Sequence, residues 1–374
     1  MARILFISDA HYGLKSGGFD RTPEIHSIMN EAVNFAIGKG VDCFIHGGDL
    51  GHTSNPSSYI HGLWVDLFLK LEGAGFESRF LLGNHDAIHR EGNPYGSLAP
   101  LAELNLSKVK PVVAPDYDWI DDSLVVYLPF LSRSNIPGKV SIDEYLDGFV
   151  SGLGDQFEEA RGNAIAFTHL NPSGAEVHDD FILRPVEAKV PDSLFKADIM
   201  GVFSGHIHRP QKVRKNPGHW IVGAPVVTDF GDIRDKRFLL IDVGEDDLTV
   251  TPHPSGAMPL VQLEYDFVDH DGPITFDFDP EDIEGAGVKV KIRMTQDQQE
   301  TVDLEDFNIA LVEAGAKFVR KITPTIVRRD EKEAVLVSAS MSDKEAVKHW
   351  VKVRKPSNSD AVIERAFRAL EEAI

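Results

Sequence analysis

Eight residues have the types and positions that hold divalent cations: Asp9 with His11, Asp49, Asn84 with His85, His169, and His206 with His208. They come from five separate segments, and each group follows an apolar run that reads as a strand. In α/β proteins, ligands sit beyond the carboxyl ends of such strands. Carboxylate, imidazole and amide oxygen together suit Mn(II), Fe or Zn(II), and no thiolate is offered. Seven of the eight would suffice for two metals. The i, i+2 pairs Asp9/His11 and His206/His208 let one side chain reach each metal, or both reach one. Within Gly83-Asn84-His85-Asp86, an amide oxygen, an imidazole and a carboxylate share one turn eased by glycine. Alone that tetrapeptide could be an ordinary turn; its force comes from the matching strand ends elsewhere. The chain has 15 histidines. His26, His61, His219, His253, His270 and His349 are assigned to ordinary structural positions.

The elements that must position these residues follow from periodicity. Arg3 to Ser8 reads as a buried strand. Pro23 then opens a helix with one apolar face, Ile25, Ile28, Met29, Ala32, Val33 and Ala36, stopped by Gly38 and Gly40. Val41 to Ile45 is a second strand. Ile60, Leu63, Trp64, Leu67, Phe68 and Leu71 mark a second helix, and Phe80 to Leu82 is a third strand. This alternation implies right-handed crossovers and a mostly parallel sheet, with all strand ends at one edge. Further on, Ser123–Leu128, Asn163–Phe167 and Asp198–Phe203 read as strands, and Ile142–Phe157 as one helix. Short strands follow to about residue 265. The segment 266–287 is acidic and broken by Gly and Pro, which makes it a domain boundary. The expected division is 1–268, then a small α/β domain at 269–342 with strands at Val288–Met294, Phe318–Ile322 and Ala334–Val337, then helices over 343–374. The last helix carries a stripe of Val362, Ile363, Ala366, Phe367 and Leu370 that could dock on a partner or pack on its own domain.

At 374 residues the chain is long enough for more than one domain. It has 38 Lys/Arg against 59 Asp/Glu, a net charge of −21. Such a surface repels nucleic acid in general, so any nucleic-acid role must rest on bound cations, a local basic patch or a partner. The single cysteine, Cys43, lies in an apolar run and reads as a core residue. With no basic-then-apolar signal segment and no membrane-length run, a soluble cytoplasmic protein without membrane association is expected.

In order, Asp-x-His, Gly-Asp, Gly-Asn-His-Asp, a lone His and Gly-His-x-His resemble the calcineurin-like metallophosphoesterase superfamily over residues 1–265. The resemblance implies a β-sandwich flanked by helices. It implies that Asp9, His11 and His208 hold one divalent metal, that Asn84, His169 and His206 hold the other, and that Asp49 bridges them. His85 would then stand over the scissile phosphate rather than bind metal. Two cations about 3.5–4 Å apart acidify a bridging water and neutralise phosphoryl oxygens. An imidazole beside them, its tautomer fixed by Asp86, would protonate the leaving alkoxide.

Within the superfamily, three features resemble the SbcD and meiotic-recombination-eleven type of DNA-repair nuclease. Gly48-Asp49-Leu50-Gly51-His52 places a histidine three residues after the bridging aspartate, where the family positions the DNA phosphate for exonuclease action; the family usually has a bulky apolar residue at the place of Gly51. Gly223-Ala224-Pro225, Asp229-Phe230-Gly231-Asp232 and Lys236-Arg237-Phe238 resemble the stretch after Gly-His-x-His, with Ser and Glu commoner where Ala224 and Asp232 stand. The region beyond residue 270 fits the branch's small DNA-capping domain. Residues 317–355 hold 11 Lys/Arg and 5 Asp/Glu, a net of +6 that leaves −27 on the remainder. Arg209, Lys212, Arg214 and Lys215 could add phosphate contacts.

The resemblance implies 3′-to-5′ exonuclease and single-strand endonuclease activity on DNA, two Mn(II) ions and a homodimer. It also implies an SMC-like ATPase partner of the SbcC type, since this chain has no phosphate-binding Gly-x-x-x-x-Gly-Lys-Ser/Thr loop. Bacteriophages encode nucleases of this type, and a phage chain would work in the host cytoplasm. The alternatives are a phosphodiesterase or phosphatase on nucleotides or small esters, and a silent scaffold that binds DNA or a partner.

Overall fold

The structure is a computed structural model; it describes all residues except 89–93, 134–135, 137–139, 177–187, 246, 328–341, 355–358 and 373–374. The first apolar run forms β1 (Ala2–Ile7), followed by a small hairpin of β2 (Lys15–Ser16) and β3 (Phe19–Asp20). Pro23 lies in the first turn of α1 (Thr22–Lys39), and all six apolar positions read from its periodicity are buried. β4 (Cys43–His46), α2 (Ser58–Ala74) and β5 (Glu77–Leu81) follow. Next come α3 (Ala99–Leu104), β6 (Val109–Val112), β7 (Asp116–Ile120) and β8 (Ser123–Leu128). The helix expected over Ile142–Phe157 is two, α4 (Ile142–Gly152) and α5 (Gly154–Ala160), broken at Leu153 between two glycines. β9 (Ala164–Thr168), β10 (Gly201–Ser204), β11 (Gln211–Lys215), β12 (Gly218–Ile221), β13 (Arg237–Val243) and β14 (Leu248–Pro254) complete the larger unit.

These strands form two six-stranded sheets, ordered β14-β13-β1-β4-β5-β6 and β11-β12-β10-β9-β8-β7. The expected β-sandwich is thus borne out, and the parallel sheet read from β1, β4 and β5 is one of its two halves. Each sheet has four central or flanking parallel strands, with antiparallel pairs added where β13 and β14, or β7 and β11, join. The central apolar runs are long because those strands are buried on both faces. Ile4, Phe6, Ile45 and Leu81 of one sheet meet Val125, Phe167 and Phe203 of the other. Alternate residues Leu5, Ile7, Phe44 and Phe80 instead pack under α1 and α2, while Val126, Ala166 and Val202 pack with α4 and α5. The result is four layers, helix, sheet, sheet, helix. Cys43 lies in the inter-sheet core, where burial pushes its thiol pKa up. The strands that periodicity missed are sheet edges: β6 contains Pro111, which an edge tolerates, and β7 is polar.

The chain divides into two compact units, Met1–Leu260 and Val261–Ile374. In the second, β15 (Leu260–Asp266) joins β16 (Gly287–Met294), which also pairs with β17 (Phe318–Val319) and β18 (Thr325–Ile326). Thus β15, counted from sequence with the first domain, hydrogen-bonds into the second sheet. Its core includes Val288, Val290, Ile292 and Met294 with Phe307 and Leu311 of α8 (Leu304–Glu313), after the short α6 (Pro280–Ile283) and α7 (Gln296–Gln299). The strand expected at Ala334–Val337 lies outside the described residues. α9 (Asp343–Arg354) and α10 (Ser359–Glu372) end the description.

Candidate metal centre

The loops leaving β1 and β4 are laced by main-chain hydrogen bonds. Asp9 N–H donates to the Gly48 carbonyl (2.9 Å), His11 to Asp49 (3.0 Å), Tyr12 to Leu50 (2.9 Å) and His52 back to Tyr12 (2.9 Å). Asp9, His11, Asp49 and His206 have φ of 56°, 53°, 54° and 71°, a region that L-residues avoid. Such positions cost about 1–3 kcal/mol each and persist where surrounding contacts impose them. Two glycines admit the close approach. A Cβ on Gly83 would lie 2.1 Å from the Asp49 nitrogen, and one on Gly48, at φ +110°, would lie 2.2 Å from His169 Nδ1.

All seven sequence-predicted ligands converge from five segments on two sheets. Asp9, His11 and His208 form one group of facing donor atoms, and Asp49, His169 and His206 form another. Nε2 of His11 and Nε2 of His208 are 2.9 Å apart. Asp49 Oδ2 lies 3.4 Å from His169 Nε2 and 3.8 Å from His11 Nε2, between the two groups. Asn84 Oδ1 is 2.8 Å from His206 Nδ1 and 3.1 Å from His169 Nε2. Two further bonds join the sheets: His169 Nδ1–H donates to the Gly47 carbonyl (2.7 Å), and His206 N–H to both Asp9 oxygens (3.1 and 3.0 Å). The Gly47 bond sets the His169 ring so that Nε2 faces Asp49 and Asn84.

Burial and the nearby His208 ring hold His11 well below the ordinary imidazole pKa. Burial also lowers His208 against the pull of Asp9. Two neutral imidazoles therefore turn Nε2 toward each other beside carboxylates, a donor set that fits a divalent cation. His169 differs: burial opposes its charge, but Asp49 outweighs burial and raises it to about 9. Burial alone would raise the Asp49 carboxyl; His169 and His11 hold it below its usual range. His46 lies behind this pair, stacked on Phe80, its pKa lowered by burial to about 3 and neither ring nitrogen with a partner among the described residues.

His85 and His52 stand at the edge of the cluster. The His85 ring is 4.9 Å from His11 and 5.7 Å from His52, nearly parallel to the latter at 17°. Its main-chain N–H donates to Asp49 Oδ1 (2.8 Å), and Nδ1–H donates to the His52 carbonyl (2.9 Å). The His52 carbonyl, rather than Asp86, thus sets the His85 tautomer, which corrects the expectation for Asp86. The Asp86 carboxylate is fully occupied elsewhere. It accepts from the N–H groups of Leu50 (3.1 Å), Gly51 (2.9 Å) and Gly83 (3.1 Å) and from the Ser97 hydroxyl (2.9 Å). Burial and the Asp49 charge raise it to about 6, so it stays mostly ionised at neutral pH. Asp86 therefore fastens the loop bearing Asp49 and His52 to the loop bearing Asn84 and His85. Gly51 is accommodated by Trp64 of α2: a Cβ at 51 would lie 3.3 Å from the buried indole, which fills the room a bulkier side chain would take.

Sequence gives Lys236 no role of its own beyond its place in the Lys236-Arg237-Phe238 stretch, which by itself reads as a loop between two strands. Here Lys236 is buried, donates to the His208 carbonyl (3.1 Å) and pairs with Asp232 (2.7 Å). Asp232 also accepts from the Thr228 N–H and hydroxyl. This pair anchors the turn carrying His206 and His208. Of the basic residues following that turn, Arg209 pairs with Glu176, Lys212 lies over Trp220 (4.2 Å) and Arg214 over Phe195 (4.4 Å). Among the described residues, no helix is long and apolar enough to cross a membrane.

A family model described as calcineurin-like phosphoesterase matches residues 2–210. The SbcD component of the SbcCD nuclease of Escherichia coli is 24% identical over 259 residues, 63% of this chain and 64% of that protein. DNA double-strand break repair protein Mre11 of Saccharolobus solfataricus is 30% identical over 149 residues, 38% of this chain and 37% of that protein. The chain thus spans less than two thirds of the length of these curated relatives. A dimetal phosphatase from Danio rerio aligns with a TM-score of 0.45 at 12% identity, covering 68% of this chain and 97% of that one.

Proposed function

The chain belongs to the calcineurin-like phosphoesterase family, and from that premise we propose that it is a two-metal DNA nuclease, cutting phosphodiester bonds as a 3′-to-5′ exonuclease and single-strand endonuclease. The observation that carries the reading is the convergence of seven ligand-type residues with two further imidazoles at their edge. Asp9, His11 and His208 would hold one cation, Asn84, His169 and His206 the other, with Asp49 between. When bound, the two cations supply charge neutralisation at the phosphate and an acidified water. The donor set suits Mn(II).

The protein's own residues do the rest. Asp49 Oδ1 fixes the His85 backbone. The His52 carbonyl accepts a hydrogen bond from Nδ1–H and leaves Nε2 as the His85 nitrogen that can reach substrate. With Nε2 also protonated, His85 acts as an imidazolium: its Nε2 proton goes to the departing alkoxide, and the ring is left as the neutral Nδ1–H form. The His52 ring, parallel to His85, orients the phosphate. The relatives named as part of a nuclease and as a DNA double-strand break repair protein favour DNA as substrate. On the same likeness, the second unit acts as a capping domain, an SMC-like ATPase of the SbcC type docks on the last helices, and the protein works as a homodimer. The net charge of −21 favours the second reading, hydrolysis of nucleotides or small esters.

Purified protein with Mn(II) is to be given labelled linear DNA and, separately, bis-p-nitrophenyl phosphate. Cleavage of both, lost on chelation and restored by Mn(II), is expected; turnover of the small ester without any cutting of DNA would select the second reading. His52→Ala keeps the carbonyl that holds His85. It is expected to lower exonuclease activity about 100-fold, the scale of a mispositioned reacting group, and endonuclease activity less. Equal losses would remove its separate role.

A further inference from the structure

We infer that the cleft between the β2–β3 hairpin and the start of α2 receives the nucleobase adjoining the phosphate that is cut, with Tyr59 as its stacking platform. This rests on the nuclease reading and adds a base subsite to it.

The cleft is about 290 Å³ and is lined by buried Tyr12, half-buried His52 and exposed Lys15, Thr53, Asn55 and Tyr59. It is continuous with the candidate centre through His52, whose ring stands 5.5 Å from His11 and 5.7 Å from His85. A substrate whose phosphate lies at the metals beside His85 has its neighbouring nucleoside within reach of this opening. Ligand pockets for drug-sized molecules run from about 300 Å³ upward. The volume suits one base and excludes a folded-in oligonucleotide.

Tyr59 is 58% exposed although its helix neighbours Ile60 and Trp64 are buried. Core packing gives no reason for an aromatic there. It sits in the first turn of α2, which is fixed by the Ser57 hydroxyl accepting from the Ile60 N–H (3.4 Å). A ring on a rigid helical turn that lines a polar cleft is preorganised for stacking. Thr53 and Asn55 are exposed there and offer hydroxyl and amide groups to a base edge. Lys15, exposed on the hairpin, offers a charge to the next phosphate.

Charge favours a base over a run of phosphates. The cleft holds one cation, Lys15, and one carboxylate, Asp20, on a chain of net charge −21. Electrostatic tracking of a backbone is weak on such a protein. Stacking on a neutral ring carries no such penalty, and every base has a π-face.

The test uses single-stranded oligonucleotides with one abasic residue stepped inward from the 3′ end, Mn(II), and the full-length wild type, Tyr59→Ala and Tyr59→Phe. Loss of one base–aromatic stack corresponds to about a tenfold change. At one position the abasic residue is expected to raise KM about tenfold for wild type and Tyr59→Phe. In Tyr59→Ala the same residue should cause no further loss. Additive losses in Tyr59→Ala, or no sensitive position in wild type, would overturn the base subsite and leave the nuclease reading standing. Wild type that hydrolyses bis-p-nitrophenyl phosphate but cuts no oligonucleotide would overturn both.

Discussion

His85→Ala is expected to lower phosphodiester cleavage by a factor of about 10²–10⁴, the range for a lost general acid, while leaving the metal content intact. The structure separates these two outcomes. Nδ1 of His85 is committed to the His52 carbonyl, and its backbone N–H to Asp49 Oδ1. Alanine keeps the second bond, so the Asp49 carboxylate stays in place between His169 and His11. What disappears is the nitrogen that reaches the leaving oxygen. Turnover of labelled DNA and metal analysis of the same sample provide the check. A variant that loses a metal ion along with activity would make His85 a ligand and refute its role as proton donor. The defect should also shrink with esters whose leaving groups are weakly basic, because those depart without a proton.

Asp86→Ala is expected to destabilise the larger unit by on the order of 4 kcal/mol or more, since each buried donor left unpaired costs about 1–3 kcal/mol and four donors lose their acceptor. Three of them are main-chain groups that cannot turn to water. Asp86→Asn is expected to fall between: one oxygen remains for Gly51 and Ser97, but an NH₂ group meets the N–H groups of Leu50 and Gly83. Denaturant unfolding of the metal-free variants measures this. Metal affinity should fall in the same order, because Asp86 ties the Asp49 loop to the Asn84 loop. A stability change under about 1 kcal/mol in Asp86→Ala would show that the carboxylate is not the fastener between those loops.

The ligand types were legible in sequence because each stands where an apolar run stops. Asp9, Asp49, Asn84, His169 and His206 all follow strands whose hydrophobic runs are unmistakable. The same runs announced α1 and α2 by their 3.6-residue period. Periodicity is local, so it recovered elements that are buried on one stripe or on both faces. It failed on β6 and β7, edge strands whose Pro and polar residues carry no burial signal. It also joined α4 and α5, because apolar spacing continues across the break at Leu153.

Sequence by itself therefore determined the donor chemistry of the candidate centre and the strands that end at it. Only the tertiary structure decided how those donors meet. Asp9, Asp49 and Asn84 leave one sheet and His169 and His206 leave another, and no local pattern states which strands share a sheet. That is set by the inter-sheet core, where Phe6 packs on Phe167 and Phe203. The tertiary structure alone also assigned Asp86 to the loops rather than to the His85 ring, and buried Lys236 behind His208. Both outcomes depend on where main-chain donors and acceptors lie after folding, and a carboxylate or an ammonium goes to the partners that compensate its burial.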